Sequence, residues 1–187
     1  MRIAIVIGST RPGRRGREVG EWVYKIAAER DDATYELVDL LDFDLTLLAE
    51  ETLPGAANRQ YENPNTRRWS ETVDSYDGFV WVTAEYNHGV PAALKNAFDL
   101  LSPEWNHKAV GLVAYGADGG VRAVEQWRGI LANAHMVVVR AQLSLSIMTE
   151  WTEAGFTPND RRAGELESLL DQVVTMTRAL EPVRAGA

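Results

Sequence analysis

The chain has 187 residues, of which 45% are hydrophobic, 25% charged and none cysteine. That mixture supplies a core for one domain of ordinary size, expected over residues 1–187, and excludes both a disordered chain and a disulfide-stapled miniprotein. The absence of cysteine excludes thiolate metal sites, cysteine-ligated iron–sulfur clusters and a cysteine nucleophile, and the formal net charge of −8 argues against general binding to nucleic acid or anionic membrane.

No run approaches the roughly 20 apolar residues that span a bilayer. The apolar stretch at the start is about six residues, too short for a signal peptide, so a cytoplasmic protein is expected. The charge is unevenly spread: Arg11, Arg14, Arg15 and Arg17 stand together without an acid, whereas Glu29 to Glu51 holds nine acids and one arginine.

Along the chain, Ile3-Ala4-Ile5-Val6-Ile7 is a continuous branched run, as in a strand buried on both faces. Arg17 to Glu29 places Val19, Trp22, Val23, Ile26 and Ala27 at helical spacing. Thr34 to Leu40 reads as a second strand. Asp42 to Asn65, rich in Pro, Gly, Asn and acids, reads as a long functional or interface loop carrying Tyr61, with a mobile surface loop as the alternative. A helix over Thr66 to Tyr76 leads to the strand Phe79 to Thr83. Pro91 to Leu101 is a helix with proline in its first turn. Lys108 to Tyr115 is a strand, Gly120 to Ala134 a helix and His135 to Val139 a strand. Residues 141 to 160 read as irregular. Arg161 to Leu180 is a closing helix, with a frayed tail after Pro182.

Five strands alternating with five helices predict βαβ units and a parallel sheet. At this length the expected fold is a flavodoxin-like, three-layer, doubly wound α/β sandwich with strand order 2-1-3-4-5. Ligands in such sheets bind beyond the carboxyl ends of the strands near the switch point, which selects three loops.

The first is Gly8-Ser9-Thr10-Arg11-Pro12-Gly13-Arg14-Arg15-Gly16. Arginine at a helix N-terminus opposes the helix dipole, so the cluster makes sense beside a bound phosphate; the alternative is a turn with solvated arginines. It is neither a P-loop nor a G-x-G-x-x-G dinucleotide loop. The second, Ala84-Glu85-Tyr86-Asn87-His88-Gly89-Val90-Pro91, reads as a shaped turn for a planar ring or as a plain helix entry. The third, Tyr115-Gly116-Ala117-Asp118-Gly119-Gly120, lets the backbone approach a ligand closely or is simply a flexible βα turn.

Gly8-Ser9-Thr10-Arg11, then Glu85-Tyr86-Asn87 with Pro91, Leu94-Lys95-Asn96-Ala97 and Asp99, then Tyr115-Gly116, Gly119-Gly120 and Arg122-Ala123 resemble the NADPH-dependent FMN reductases. That family includes small quinone, azo-dye and chromate reductases. The resemblance runs over about residues 1 to 140, with the E-Y-N…P…L-K-N-A…D stretch its most specific part. It implies non-covalent FMN, NADPH or NADH as donor, a small-molecule electron acceptor, and a homodimer or dimer-based homotetramer with each flavin near a subunit interface.

The FMN-binding residues it implies are Ser9, Thr10, Arg11, Arg15 and Gly16 around the phosphate. Glu85, Tyr86 and Asn87 line the ring, and Tyr115, Gly116, Ala117 and Gly119 form its pyrimidine side. Two positions depart from the family pattern: Ala84 stands where proline is frequent, and Arg14 where serine is frequent, so Arg14 or Arg15 is expected as a substitute phosphate ligand. The implied chemistry is hydride transfer to the flavin and then to an acceptor, with ping-pong kinetics. It needs no side-chain acid or base, and backbone amides of residues 115–120 are expected to stabilise the reduced, anionic flavin.

His88, His107 and His135 have no metal spacing, and no metal is expected. Trp151, in the irregular segment, is a candidate for the acceptor pocket. The rival reading is a non-enzymatic flavodoxin-type electron carrier, but such carriers have phosphate loops dense in Ser and Thr. A phospho-acceptor response regulator would need an acidic pair after the first strand, which Gly8-Ser9-Thr10 does not offer.

Overall fold

A computed structural model describes residues 1–186. Its elements in chain order are β1 (Arg2–Ile7), α1 (Gly16–Ala27), β2 (Thr34–Asp39), α2 (Pro64–Asp74), β3 (Gly78–Ala84) and α3 (Ala92–Asp99). They continue with β4 (Ala109–Gly116), α4 (Val121–Ala132), β5 (Val137–Ser146), a short hairpin of β6 (Trp151–Thr152) and β7 (Gly155–Phe156), and α5 (Arg161–Ala185). The main sheet has the expected order β2-β1-β3-β4-β5 with every pairing parallel.

Strand alternation divides the core into two chemically different layers. On one face Ile3, Ile5, Val80, Val82 and Val113 meet aliphatic residues of α1 and α5, among them Val19, Val23, Leu166 and Val173. On the other, Ala4, Val6, Phe79 and Trp81 meet α2, α3 and α4 in an aromatic layer. Four of the six tryptophans are fully buried there. Their ring centroids follow one another at 6.0 Å (Trp69–Trp105), 5.5 Å (Trp105–Trp81) and 5.1 Å (Trp81–Trp127), each pair edge-to-face.

Three sequence expectations change. First, β5 does not end at Val139 but runs to Ser146. The pairing with β4 slips between Val110↔Val138 and Leu112↔Gln142, which makes a bulge around Val139 to Ala141. As an edge strand it alternates half-exposed polar positions with Leu143 and Leu145. Arg128 donates to the Val139 and Arg140 carbonyls (3.1 and 3.2 Å), and Gln172 accepts from the Ala141 amide (2.9 Å). These side chains cover an edge that would otherwise be open to pairing.

Second, Tyr61 does not face outward. It is buried, and its hydroxyl donates to Glu104 at 2.8 Å. The same fully buried carboxylate accepts from Ser70 (2.6 Å) and the Ser102 amide (3.1 Å), so Tyr61 anchors the long segment to the aromatic layer. Third, α5 passes through Pro182 to Ala185, where Arg184 folds back to donate to the Thr177 carbonyl at 3.2 Å and the His107 carbonyl at 3.3 Å.

Candidate functional site

The three loops selected from the sequence all leave the carboxyl edge of the sheet, after β1, β3 and β4. In the first, the Gly8 amide donates to the Val82 carbonyl (3.0 Å), and a Cβ at Gly8 would lie 2.7 Å from Leu94. Ser9 is buried, with its hydroxyl 3.1 Å from that of Tyr86 and beside that of Tyr115. Thr10 is half-buried and Arg11 exposed. Helix α1 starts at Gly16 with no side chain capping its first turn, which leaves amide donors for an anion. Gly16 itself is required by packing, since a Cβ would approach the Tyr115 hydroxyl to 2.8 Å.

The four arginines, indistinguishable by spacing, separate in space. Arg14 turns away from the loop and pairs with the buried Asp39 at the end of β2. Arg17 shares that carboxylate at 3.4 Å and pairs with Glu21 at 2.8 Å. Arg15 lies over the Trp151 ring, 5.0 Å from its centroid, and donates to the Ile147 carbonyl at 3.3 Å. Arg11 makes no ion pair or hydrogen bond with its side chain among the described residues. It is therefore the cation of the cluster left for a ligand. Of Arg14 and Arg15, the two expected as substitute phosphate ligands, Arg14 is held by Asp39, and Arg15 keeps its place at the helix start but is engaged with Trp151.

The second loop is a two-residue turn. Tyr86 and Gly89 exchange both backbone hydrogen bonds (3.0 and 2.9 Å) across Asn87 and His88, whose φ angles are +49° and +64°. Left-handed conformations at non-glycine residues cost about 1–2 kcal/mol each, and the turn is braced against that cost. Gln126 of α4 donates to the His88 carbonyl (2.8 Å) and accepts from the Val90 amide (3.3 Å). The turn leaves Tyr86 exposed beside Ser9.

Glu85 points away from the cleft. Its carboxylate accepts from the Arg122 guanidinium (2.8 Å) and from the Arg122 and Ala123 amides (2.9 and 3.4 Å), so it caps α4 from another loop. Burial alone would push its pKa up, but the Arg122 side chain and the two amides outweigh this and hold it below the usual carboxylate value. Glu85 thus positions the ring-side loops relative to one another.

In the third loop Gly119 and Gly120 have φ of +77° and +74°, and a Cβ at Gly120 would sit 2.8 Å from that of Ala114. The Gly119 amide donates to the Gly116 carbonyl (3.1 Å), which also accepts from Ile147 (3.0 Å), while Ser146 donates to the Ala117 carbonyl (2.7 Å). Tyr115 is buried beneath the loop, its phenol pushed up to about 12 chiefly by desolvation. Of the residues expected to bind the cofactor, Ser9, Gly16, Tyr86 and Tyr115 meet directly. Thr10, Arg11, Asn87 and Ala117 are on the loop surfaces around them, and Gly116 and Gly119 shape the third loop.

A cavity of about 310 Å³ opens next to Thr10, between the segment Leu40–Leu47 and the first turns of α3 at Ala92, Ala93 and Asn96. Asn96 holds that segment by accepting from the Leu48 amide (3.0 Å) and donating to the Thr46 carbonyl (2.8 Å). Leu41 and Leu47 line it and are exposed, as are Leu48 and Leu53 further along the same segment. This apolar neighbour of the site was not assigned from the sequence, although the L-K-N-A stretch supplied Asn96.

The arrangement defines a flavodoxin-like fold with a cleft that has a cationic, amide-rich end and a flat, preformed end. FMN fits that donor set. Arg11 and the uncapped turn of α1 suit a phosphate, and the braced turn at Tyr86 and the glycine loop suit a ring. Residues 1–150 match the NADPH-dependent FMN reductase family, and the chain belongs to that family. Membership carries the enzyme class, an oxidoreductase, and the pair FMN and NAD(P)H.

The chain is 34% identical over 146 residues to the NAD(P)H-dependent FMN reductase C4B3.06c of Schizosaccharomyces pombe, covering 78% of this chain and 73% of that one. It is 37% identical over 129 residues to the NAD(P)H-dependent FMN reductase ntnL of Nectria sp, covering 67% of this chain and 64% of that one, so it spans just under two thirds of that relative's length. In structure it is similar to FerB, a flavoenzyme NAD(P)H:(acceptor) oxidoreductase from Paracoccus denitrificans. The TM-score is 0.76 at 18% identity, over 95% of this chain and 97% of that one.

Proposed function

We propose that residues 1–187 act as one FMN-binding unit that oxidises NAD(P)H and passes the electrons to a small acceptor, a flavin, quinone or azo compound, by a ping-pong mechanism in the cytoplasm. When bound, FMN would supply the two-electron chemistry that links NAD(P)H to the acceptor. The protein binds and orients. Arg11, with Ser9, Thr10 and the first amides of α1, holds the phosphate, and Arg15 and Gly16 shape that end. The turn Glu85-Tyr86-Asn87 supports the ring, and the loop of Tyr115, Gly116, Ala117 and Gly119 lies at its pyrimidine edge. No side chain is assigned as acid or base.

The observation that carries this reading is the single uncommitted arginine, Arg11, at the cationic end of a cleft where Arg14, Arg15 and Arg17 are already engaged. Absorbance of the purified protein and initial rates of NADPH oxidation test it. A flavin spectrum and parallel double-reciprocal lines with a quinone acceptor are expected. A protein that takes up no FMN overturns the reading, intersecting lines overturn the ping-pong part, and flavin binding without steady-state NAD(P)H oxidation makes the chain a carrier. The exposed leucines at 41, 47, 48 and 53 further support a homodimer, or a tetramer of dimers, joined beside the cleft. Light scattering of the purified protein tests this, and a monomer overturns it.

A further inference from the structure

The opposite, amino-terminal edge of the sheet carries a second cavity, of about 340 Å³, that the flavin chemistry does not use. Its lining includes Arg59, Asp74, Asp77, His107, Lys108 and Arg184. Lys108, immediately before β4, is only 5% exposed. Its ammonium donates to the Val73 carbonyl (2.9 Å) and more weakly to that of Asp74 (3.4 Å), both at the end of α2. An ammonium has three N–H donors, and the third has no oxygen or nitrogen acceptor among the described residues, the Phe79 ring centroid lying 5.7 Å from Nζ. Nor does Lys108 make an ion pair with a carboxylate among them.

The carboxylates nearby are engaged elsewhere. Asp74 takes Arg59 through two contacts of 3.2 Å, and Asp77 takes Arg184 at 3.5 Å and the Arg2 amide at 2.8 Å. Three cations therefore face two acids, and the excess charge is the buried one. His107 adds a further titratable group at the rim, its ring 5.6 Å from that of His135. A buried ammonium without a counter-ion is costly. Accordingly the Lys108 pKa is lowered to about 8, by burial first, with Asp74 and Asp77 opposing and Arg184 and Arg59 reinforcing the shift.

We infer that this cavity binds a small phosphate-type oxyanion, inorganic phosphate or a phosphomonoester, whose charge pairs with the Lys108 ammonium and with the free N–H groups of Arg59 and Arg184. Guanidinium forks match the oxygens of such a group, and the volume lies in the range of small-molecule sites. Strands β3 and β4 separate it from the flavin loops by roughly 23 Å at 3.3 Å per residue. A ligand here does not compete with FMN, and the inference stands or falls apart from the flavin assignment.

The chain has three lysines, Lys25, Lys95 and Lys108, so carbon-13 labelling of lysine resolves the site in flavin-saturated protein. Inorganic phosphate at millimolar concentration and constant ionic strength is expected to shift the Lys108 side-chain resonance saturably and to raise its titration midpoint, with Lys25 and Lys95 nearly unmoved. Arg184→Gln, and independently Arg59→Gln, should weaken the phosphate effect about tenfold, as expected for one charge-assisted hydrogen bond, without changing NAD(P)H oxidation. Tighter binding of glycerol phosphate identifies an organic phosphate as the ligand, and equal binding identifies phosphate itself. A Lys108 resonance that neither compound moves, or that chloride moves equally, overturns the inference.

Discussion

The two ends of the cleft are built on different principles. At the ring end the polar side chains are engaged within the protein: Glu85 on Arg122 and the α4 amides, Gln126 on the Tyr86–Gly89 turn, Ser146 on the glycine loop. At the phosphate end Arg14, Arg15 and Arg17 are consumed in the same way, but among the described residues Arg11 has no side-chain partner and the first turn of α1 no side-chain cap. One end is preorganised by internal bonds, and the other keeps a cation without an internal partner. Substitutions should therefore separate stability from ligand affinity according to which of these roles a residue has.

The largest effect is expected at Arg14. Replacing it with alanine leaves Asp39 buried with Arg17, at 3.4 Å, as its one cation and the Leu41 amide, at 3.1 Å, as its other donor. Breaking a buried pair from one side costs about 3 kcal/mol, and chemical denaturation should show a loss of that size. FMN affinity should hardly change; a large fall in affinity would mean that Arg14 reaches the phosphate after all.

Glu85→Ala comes next. It removes the cap from α4 and leaves two amides without their acceptor, a loss of about 2 kcal/mol. Because the pKa of Glu85 is lowered in the folded protein, its stabilisation is present above the ordinary value of 4.5 and is lost as pH falls through the folded value. The denaturation midpoints of wild type and Glu85→Ala should therefore differ most near neutral pH and converge in acid. A gap that persists at low pH would show that the carboxylate charge is not what holds the loops together.

Arg11→Ala should invert the pattern seen at Arg14. No partner is lost within the protein, so unfolding in the absence of flavin should be unchanged. FMN affinity should fall about tenfold, the worth of one charge-assisted contact, while riboflavin, which lacks the phosphate, should bind as before. Equal losses for both flavins would place Arg11 at the ring rather than at the phosphate.

Much of this architecture was legible in the chain. Central strands such as Ile3–Ile7 and Phe79–Thr83 announce themselves because both faces are buried. β5 did not, since an edge strand with a bulge mixes Arg140, Gln142 and Ser144 into its run. The placement of the three loops followed from strand order alone. The division of labour among Arg11, Arg14, Arg15 and Arg17 did not, because it depends on Asp39 and on Trp151, which reach the loop only through the tertiary fold. The anchoring of Tyr61 was hidden for the same reason: its partner Glu104 follows α3, far along the chain.

Trp151 provides the smallest and most discriminating test of the comparison. The β6–β7 hairpin sets its indole over the Arg15 guanidinium and 6.2 Å from the Tyr115 ring, while Glu18 of α1 accepts its N–H at 2.8 Å and the Phe156 amide at 3.1 Å. Hairpin and helix start thus brace each other on the phosphate side of the cleft. Trp151→Leu removes a half-exposed cation–π contact worth about 0.5–1 kcal/mol and releases Arg15 beside Gly16. If Arg15 only buttresses the helix, stability should fall by at least that amount, since the hydrogen bond to Glu18 goes as well, and FMN affinity should stay constant. If freeing Arg15 gives the phosphate a second cation, affinity should rise while stability falls, and the double variant with Arg11→Ala should recover part of the lost binding. Flavin titrations of the two variants and their combination separate these outcomes, because only the second makes the two positions non-additive.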